Sequence, residues 1–217
     1  MMSQRVTFPS DGLMLEGILH RPAGTSLYPA VAVCHPHPLY GGDMHNSVVV
    51  AICEGLAADG RGALRVNFRG VGGRGGSFGG GSEERRDVRA ALDYLEGEPA
   101  VDGGRIGLAG YSFGALVALA AVDERVQGVA AVSPPLAMQD LSGRELRCPS
   151  LFVFGGEDAI APADRLADLA SALVREHRAI VVPGADHFWW GQEEVLVKEV
   201  VAFFQGVMGS GEGQRSD

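Results

Sequence analysis

Short apolar runs that alternate with helical segments predict an α/β fold: a mostly parallel, doubly wound sheet covered by helices on both faces. Two further observations sharpen this. The first two strand-like runs have no helix between them, which predicts an antiparallel hairpin at one edge of the sheet. Gly110-Tyr-Ser-Phe-Gly114, a G-x-S-x-G string, stands between an apolar run and a helix of small residues, the layout of a sharp strand-to-helix turn that lifts a serine hydroxyl clear of the backbone.

Val6–Pro9 and Leu13–Arg21 read as the hairpin, joined at Ser10-Asp11-Gly12. Tyr28-Pro29 marks a break before Ala30-Val-Ala-Val-Cys34, a buried parallel strand. A loop rich in His, Pro and Gly covers His35–Asn46, and a helix runs from about Ser47 to Asp59, stopped by Gly60. Gly62–Phe68 is the next strand. The segment Arg69–Gly81 is too rich in glycine for regular structure, and a helix from Ser82 through Leu95 follows. Strand 105–110, the serine turn, helix 113–122, strand Gly128–Ser133 and strand Leu151–Phe154 come next. Pro162 suits the first position of a helix running to about Val174. Ala179–Val182 is the last strand and Glu193–Val207 the last helix. Residues 1–208 read as one domain, and 209–217, made of Gly, Ser and charge, as a disordered tail.

The totals narrow the function. The 217 residues suffice for one sizeable core, and 46% hydrophobic content is ordinary for a globular protein. A net charge of -9 repels phosphate backbones and argues against nucleic acid as a partner. No apolar stretch approaches the ~20 residues of a membrane span, and Met1–Pro9 lacks the apolar core of a signal peptide. Cys34, Cys53 and Cys148 are odd in number, widely spaced and in apolar surroundings, so reduced buried thiols in a cytoplasmic protein are expected.

Ser112 is a weak nucleophile unless a base takes its proton and a third group orients that base. His187, in Gly184-Ala-Asp-His187, follows the last strand; Glu157 and Asp158 follow strand 151–154. Parallel sheets gather functional groups at the carboxyl ends of their strands, so these residues fall on one edge. Asp186, an immediate neighbour of His187, reads as a turn residue. An oxyanion hole needs two N–H donors. One is the backbone of Phe113, after the nucleophile. The other comes from the loop His35-Pro-His-Pro-Leu-Tyr-Gly-Gly42, where Pro36 and Pro38 have no N–H. Its donors are His37, Leu39, Tyr40, Gly41 and Gly42; His37 is favoured, then Leu39 or Tyr40.

Three other patterns carry less. A second G-x-S-x-G, at Gly75–Gly79 around Ser77, lies inside the glycine-rich loop with no strand before it or helix after it. Gly70–Gly75 matches G-x-G-x-x-G, but the helix opens only at Ser82, too late for a dinucleotide site. His35, His37, Asp43 and His45 suggest a metal cluster, but Leu39 stands where an H-x-H-x-D-H pattern needs Asp. No metal or cofactor is expected.

With these residues in view, the chain resembles an α/β-hydrolase over about residues 5–208. Besides the serine turn, Gly155, Asp158 and Pro162 fit G-x-x-D-x-x-x-P, and Gly184 and His187 fit G-x-x-H. This resemblance selects Asp158 over Glu157 as the acid. The string His35–Gly42, with Asn67-Phe-Arg-Gly-Val-Gly72, is similar more narrowly to a group of small, lidless bacterial hydrolases expected to act on esters, related to dienelactone hydrolase and to peptidase-like proteins. Dienelactone hydrolases use Cys as nucleophile; this chain has Ser112. Only Pro134–Pro149 separates the sixth and seventh strands, too short for a cap domain, so the site should be open. Pro134, Pro135, Leu136 and Met138 are candidates for one wall, and Leu39, Tyr40, Phe188 and Trp189 for the other substrate-binding residues. Trp189 and Trp190 are adjacent and cannot both be buried easily. Apolar residues around Trp189 fit either a substrate wall or a homodimer contact.

The resemblance implies a serine hydrolase, in the first place a carboxylesterase for small short-acyl esters. Thioesters, amides and acyl transfer stay open, because fold and triad do not set the leaving group. The competing reading is a non-catalytic hydrolase fold serving as a binding module, which would not react with a fluorophosphonate at Ser112.

Overall fold

The computed structural model describes residues 2–24, 27–72, 75–138, 146–163 and 177–209. Eight strands form one sheet in the order β1-β2-β4-β3-β5-β6-β7-β8. They are β1 (Met2–Ser10), β2 (Leu13–Arg21), β3 (Tyr28–Cys34), β4 (Gly62–Val66), β5 (Val101–Tyr111), β6 (Val126–Val132), β7 (Ser150–Gly155) and β8 (His177–Val182). β1 pairs antiparallel with β2, and β2 antiparallel with β4; every later pairing is parallel. The described helices are α1 (Ser47–Ala58), α2 (Glu84–Gly97), α3 (Phe113–Ala121) and α4 (Glu193–Met208).

The central strands β3, β4 and β7 are buried along their whole length, as continuous apolar runs require when helices cover both faces. Alternate residues face opposite sides. On one face Ala32, Leu64, Leu108 and Phe152 pack with α2 and α3. On the other Val31, Val33, Ala109 and Val153 pack with α1 and α4. Cys34, Cys53 and Cys148 are free and buried; burial pushes the Cys34 thiol up to about 12 and Cys148 up to about 11, so neither is a ready thiolate. No described helix is long and apolar enough to cross a membrane.

Strand bounds differ from the sequence expectation where pairing overrides local composition. β1 begins at Met2 because β2 offers partners as far as Arg21. Tyr28 and Pro29 belong to β3 rather than breaking it: Tyr28 pairs with Val101, with a register shift before Ala30 that accommodates the proline. The same pairing draws Val101 into β5 ahead of Gly103 and Gly104. The helix expected after Pro162, from residue 164, and the tail from 210 lie outside the described residues.

Chain order reverses beside β3: its follower β4 lies on one side and β5 on the other. The loops leaving β3 and β5 therefore face each other across a crevice at the carboxyl edge, where open α/β sheets bind ligands. The register keeps the strand ends level, with Cys34 opposite Gly110, Tyr111 opposite Val132, and Val132 opposite Val153.

Side chains lock the crevice loops to the sheet. His35 donates from Nδ1 to the Pro36 carbonyl at 2.6 Å and accepts at Nε2 from the Phe68 N–H at 3.1 Å. Asn67 accepts from the Met44 N–H and donates to Glu16, both at 2.8 Å. His20 accepts at Nε2 from Arg65 Nε at 3.0 Å. Burial pushes His35 down from 6.5 to about 4, and burial followed by the Arg65 charge pushes His20 down to about 4. Both folded-state values lie below the unfolded ones, so the stability tied to the neutral rings is fully present above about pH 6.5 and is lost as pH falls toward 4. The urea midpoint is expected to fall across that window, by a contribution on the order of 3 kcal/mol for each ring. The slope should shrink in His35→Gln; a variant slope equal to that of the native chain would remove His35 from the account.

Candidate active site

The turn after β5 places Ser112 at φ 54° and ψ -122°, a conformation disfavoured for a residue with a Cβ. The flanking glycines make it feasible. A Cβ on Gly110 would collide with the Gly114 carbonyl, and one on Gly114 would collide with the carbonyls of Cys34 and His35 at the end of β3. Helix α3 starts at Phe113 immediately afterwards, and the Ser112 carbonyl accepts from the Ala115 N–H at 2.9 Å. Ser112 N–H is held by the Val132 carbonyl at 2.9 Å, which fixes the turn to β6.

Three loops at the carboxyl edge bring Ser112, Asp158 and His187 together, all buried. His187 Nε2 lies 3.0 Å from Ser112 Oγ, and Nδ1 lies 2.8 Å from Asp158 Oδ2. An ionised carboxylate only accepts, so Nδ1 carries the ring proton and Nε2 is left to accept from the serine hydroxyl. Asp158 also accepts from the N–H groups of Ile160 at 2.9 Å and Ala161 at 2.7 Å. Burial raises its pKa, but hydrogen bonds from His187 and Ala161 outweigh it and hold the carboxyl below its usual range. The neighbouring acids go elsewhere: Glu157 is exposed, and Asp186 caps its own turn by accepting from the Phe188 and Trp189 N–H groups at 2.9 and 3.0 Å. Ser77 is exposed in the loop between β4 and α2.

The β3 loop forms a single 3-10 turn at Pro38–Tyr40, and its N–H groups are largely consumed by the turn itself. Leu39 N–H donates to His37 Nδ1 at 3.2 Å; Tyr40 and Gly42 donate to the His37 carbonyl at 3.1 and 3.0 Å; Gly41 donates to the Pro38 carbonyl at 3.2 Å. Of the loop donors that the sequence left open, His37 N–H is the one with no acceptor among the described residues. Leu39 and Tyr40 are corrected as backbone donors, because their N–H groups are committed, but their side chains are exposed. Phe113 opens α3, so its N–H has no intrahelical partner.

The substrate walls need correction too. Trp189 is fully buried and packs among Val153, Val182 and Leu196, while Trp190 beside it is 77% exposed. Positive φ at Trp189, 62°, turns its ring inward under the Asp186 cap. Pro134, Pro135 and Leu136 are buried behind the end of β6, leaving Met138 exposed from that group. Phe188 remains at the surface, its ring centroid 5.8 Å from His187 and 5.6 Å from Trp190.

The sequence reading missed three contributors. Tyr111 donates its hydroxyl to the His187 carbonyl at 2.6 Å, beneath the histidine. Ser133, buried at the end of β6, accepts at Oγ from the indole N–H of Trp189 at 3.1 Å. Phe78, from the glycine-rich loop, packs its ring 4.7 Å from His37 and 5.5 Å from Phe113, with His37 and Phe113 themselves 4.8 Å apart. That loop is fastened by acids of α2. Buried Glu84 accepts from Gly79 and Gly81 N–H, each at 2.7 Å, and buried Asp87 accepts from Ser10 at 2.7 Å, from Arg69 N–H at 2.9 Å and from the Arg69 guanidinium at 2.8 Å. The tyrosine before a G-x-S-x-G serine was a visible signal; Ser133 and Phe78 had none.

The fold is that of an α/β-hydrolase, with Ser112, His187 and Asp158 side by side at the carboxyl edge of its sheet. The chain belongs to the dienelactone hydrolase family, whose match spans residues 79–199. It is 36% identical over 184 residues to an uncharacterized protein of Rickettsia prowazekii, covering 79% of this chain and 76% of the other. It is similar to the structure of an alpha-beta serine hydrolase homologue from Coxiella burnetii, at 31% identity and a TM-score of 0.85, covering 93% of this chain and 97% of that one. A serine hydrolase without a lid from Xanthomonas campestris superposes with a TM-score of 0.87 at 28% identity, over 97% of both chains.

Tyr111→Phe should leave the buried His187 carbonyl without its donor and lower the free energy of unfolding by about 1–3 kcal/mol. Urea titration reads this directly; an unchanged midpoint would mean that the carbonyl is satisfied by another group.

Proposed function

We propose that this protein is a serine carboxylesterase that cleaves small, short-acyl esters through an acyl-enzyme. The observation that carries the proposal is the continuous chain from Ser112 Oγ through His187 to Asp158, at 3.0 and 2.8 Å. Ser112 attacks the ester carbonyl carbon while His187 Nε2 takes the hydroxyl proton. Charge collects on the carbonyl oxygen, where the N–H groups of Phe113 and His37 are the donors that stabilise it. Collapse of the tetrahedral intermediate expels the alcohol, which leaves with the proton from Nε2. His187 then deprotonates a water, the water attacks the acyl carbon, and the acid departs as Ser112 regains its proton. Asp158 stays ionised throughout; it fixes the ring tautomer and stabilises the imidazolium. Each proton is returned, so the cycle needs no cofactor.

Two features support a small, accessible substrate. Residues 133–149 between β6 and β7 are too few for a cap, and the rim carries Leu39, Tyr40, Met138 and Phe188 at the surface. Apolar contact with these side chains favours the acyl or alkyl part of an ester over a charged group. Cytoplasmic residence fits the reduced state of Cys34, Cys53 and Cys148.

Hydrolysis of p-nitrophenyl esters from acetate to octanoate tests the reading, with rates expected to be greatest on the shortest chains. Ser112→Ala should lower kcat by about four orders of magnitude or more, Asp158→Asn by about 10³–10⁴, and Ser77→Ala not at all. A fluorophosphonate should label Ser112 in the folded chain. Activity that survives Ser112→Ala would sink the assignment; a folded chain inert to both esters and fluorophosphonate would favour a binding module.

A further inference from the structure

The glycine-rich loop between β4 and α2 has no part in the proposed reaction, yet its hydrogen bonds converge on one side chain. The loop folds back on itself through the Gly70 N–H, which donates to the Gly75 carbonyl at 3.0 Å. A Cβ on Gly70 would press on the Ser77 Cα and the Phe78 nitrogen, at 3.1 and 3.2 Å. On the other side of Phe78, the buried Glu84 carboxylate accepts from the Gly79 and Gly81 N–H groups, each at 2.7 Å. Gly75, Gly76 and Ser77 are exposed, but Phe78 is half-buried and packs against the core.

The Phe78 ring centroid lies 4.7 Å from that of His37 and 5.5 Å from that of Phe113, and His37 and Phe113 are 4.8 Å apart. All three pairs are tilted, at 42°, 57° and 51°, and fall in the distance range of favourable aromatic contacts. The triangle spans three elements: the β3 loop, the glycine-rich loop and the first residue of α3. Two of its corners, His37 and Phe113, are the residues whose backbone N–H groups are the proposed oxyanion donors. Among the described residues no hydrogen bond joins residues 36–42 to residues 112–114, so the spacing of the two donors depends on packing, and this triangle touches both. The direction of the His37 N–H is fixed separately. His35 Nδ1 donates to the Pro36 carbonyl at 2.6 Å, and the carbonyl and N–H of one planar trans peptide point opposite ways. What that bond leaves open is the position of the β3 loop against α3.

We propose that Phe78 is a positioning residue: its ring, wedged against those of His37 and Phe113, holds the two oxyanion N–H groups at a fixed spacing, and the glycine-rich loop keeps it there. The proposal rests on the reading of Phe113 and His37 as the oxyanion donors. Donors that are in place before charge develops stabilise the transition state without reorganising, so a loss of spacing is felt in kcat more than in KM. The second G-x-S-x-G string, Gly75–Gly79, thereby carries a ring rather than a nucleophile.

The test uses Phe78→Leu, which keeps an apolar side chain and removes the ring, Phe78→Tyr, which keeps the ring, and Ser77→Ala, a control for disturbance of the loop. With p-nitrophenyl acetate, Phe78→Leu should lower kcat about tenfold with KM changed less than about twofold, a part of the roughly 10²–10³ that loss of a whole oxyanion donor costs. The inhibition constant of trifluoroacetone, which adds to the serine as a tetrahedral oxyanion, should rise by a similar factor of about ten. Phe78→Tyr should recover most of both losses, and Ser77→Ala should show neither. A packing role alone would lower the urea midpoint of Phe78→Leu and leave kcat and the inhibition constant of the folded enzyme unchanged; that result would overturn the clamp, as would a Phe78→Tyr variant as impaired as Phe78→Leu. A wild-type chain inert to esters and unlabelled by fluorophosphonate would instead overturn the hydrolase reading, and this proposal with it.

Discussion

The serine turn is a strained conformation held from three sides, and the rest of the site depends on it. At φ 54° and ψ -122°, Ser112 has no local reason to stay where it is. Its N–H is bound by β6, its carbonyl is engaged by the first turn of α3, and the two glycines allow β5, α3 and the end of β3 to approach one another closely. Each restraint belongs to a different element, so the turn exists only when the sheet is assembled. The result is a hydroxyl at the carboxyl edge, a helix N-terminus whose free N–H groups open toward the same point, and the β3 loop directly beside it.

The same logic of restraint from neighbouring strands extends outward. His35 and Asn67 bind the β3 loop to the end of β4, and Asn67 continues to β2. Tyr111 supports the His187 carbonyl from β5. Glu84 and Asp87, on the first turn of α2, are buried and fully engaged with loop N–H groups, Arg69 and Ser10. These acids organise the glycine-rich loop from within and carry the Phe78 ring to the cluster of His37 and Phe113. Glycine gives that loop the turns it needs, with Gly70, Gly72, Gly75, Gly76, Gly80 and Gly81 all at positive φ. Buried carboxylates give it one shape, because an unpaired N–H or charge there would cost several kcal/mol.

Much of the site was legible in sequence because its parts are local. A G-x-S-x-G between a strand and a helix encodes its own turn, and the order of Ser112, Asp158 and His187, each after a strand, follows from a parallel sheet. Two donors of the β3 loop are excluded by covalent chemistry alone, since Pro36 and Pro38 carry no N–H. The hydrogen bonds of the 3-10 turn engage the N–H groups of Leu39, Tyr40, Gly41 and Gly42, which supports His37 as the proposed donor. The failures were also physical. Trp189 read as a wall because it adjoins the histidine, but one positive φ sends its ring into the core and leaves Trp190 outside. Pro134, Pro135 and Leu136 looked like a rim because they follow a strand, and they are covered instead.

Periodicity, turn chemistry and chain order are enough to specify the alternation of strands and helices, the edge hairpin, the serine turn and its two partners. They say nothing of what meets what across the sheet: Tyr111 beneath His187, Phe78 against His37, and Trp189 against Ser133. Those contacts come from assembly. Ser133 and Trp189 are 56 residues apart in the chain. Their meeting is fixed by the register of β6, β7 and β8 and by two strained backbone positions, neither of which any local pattern of residues records.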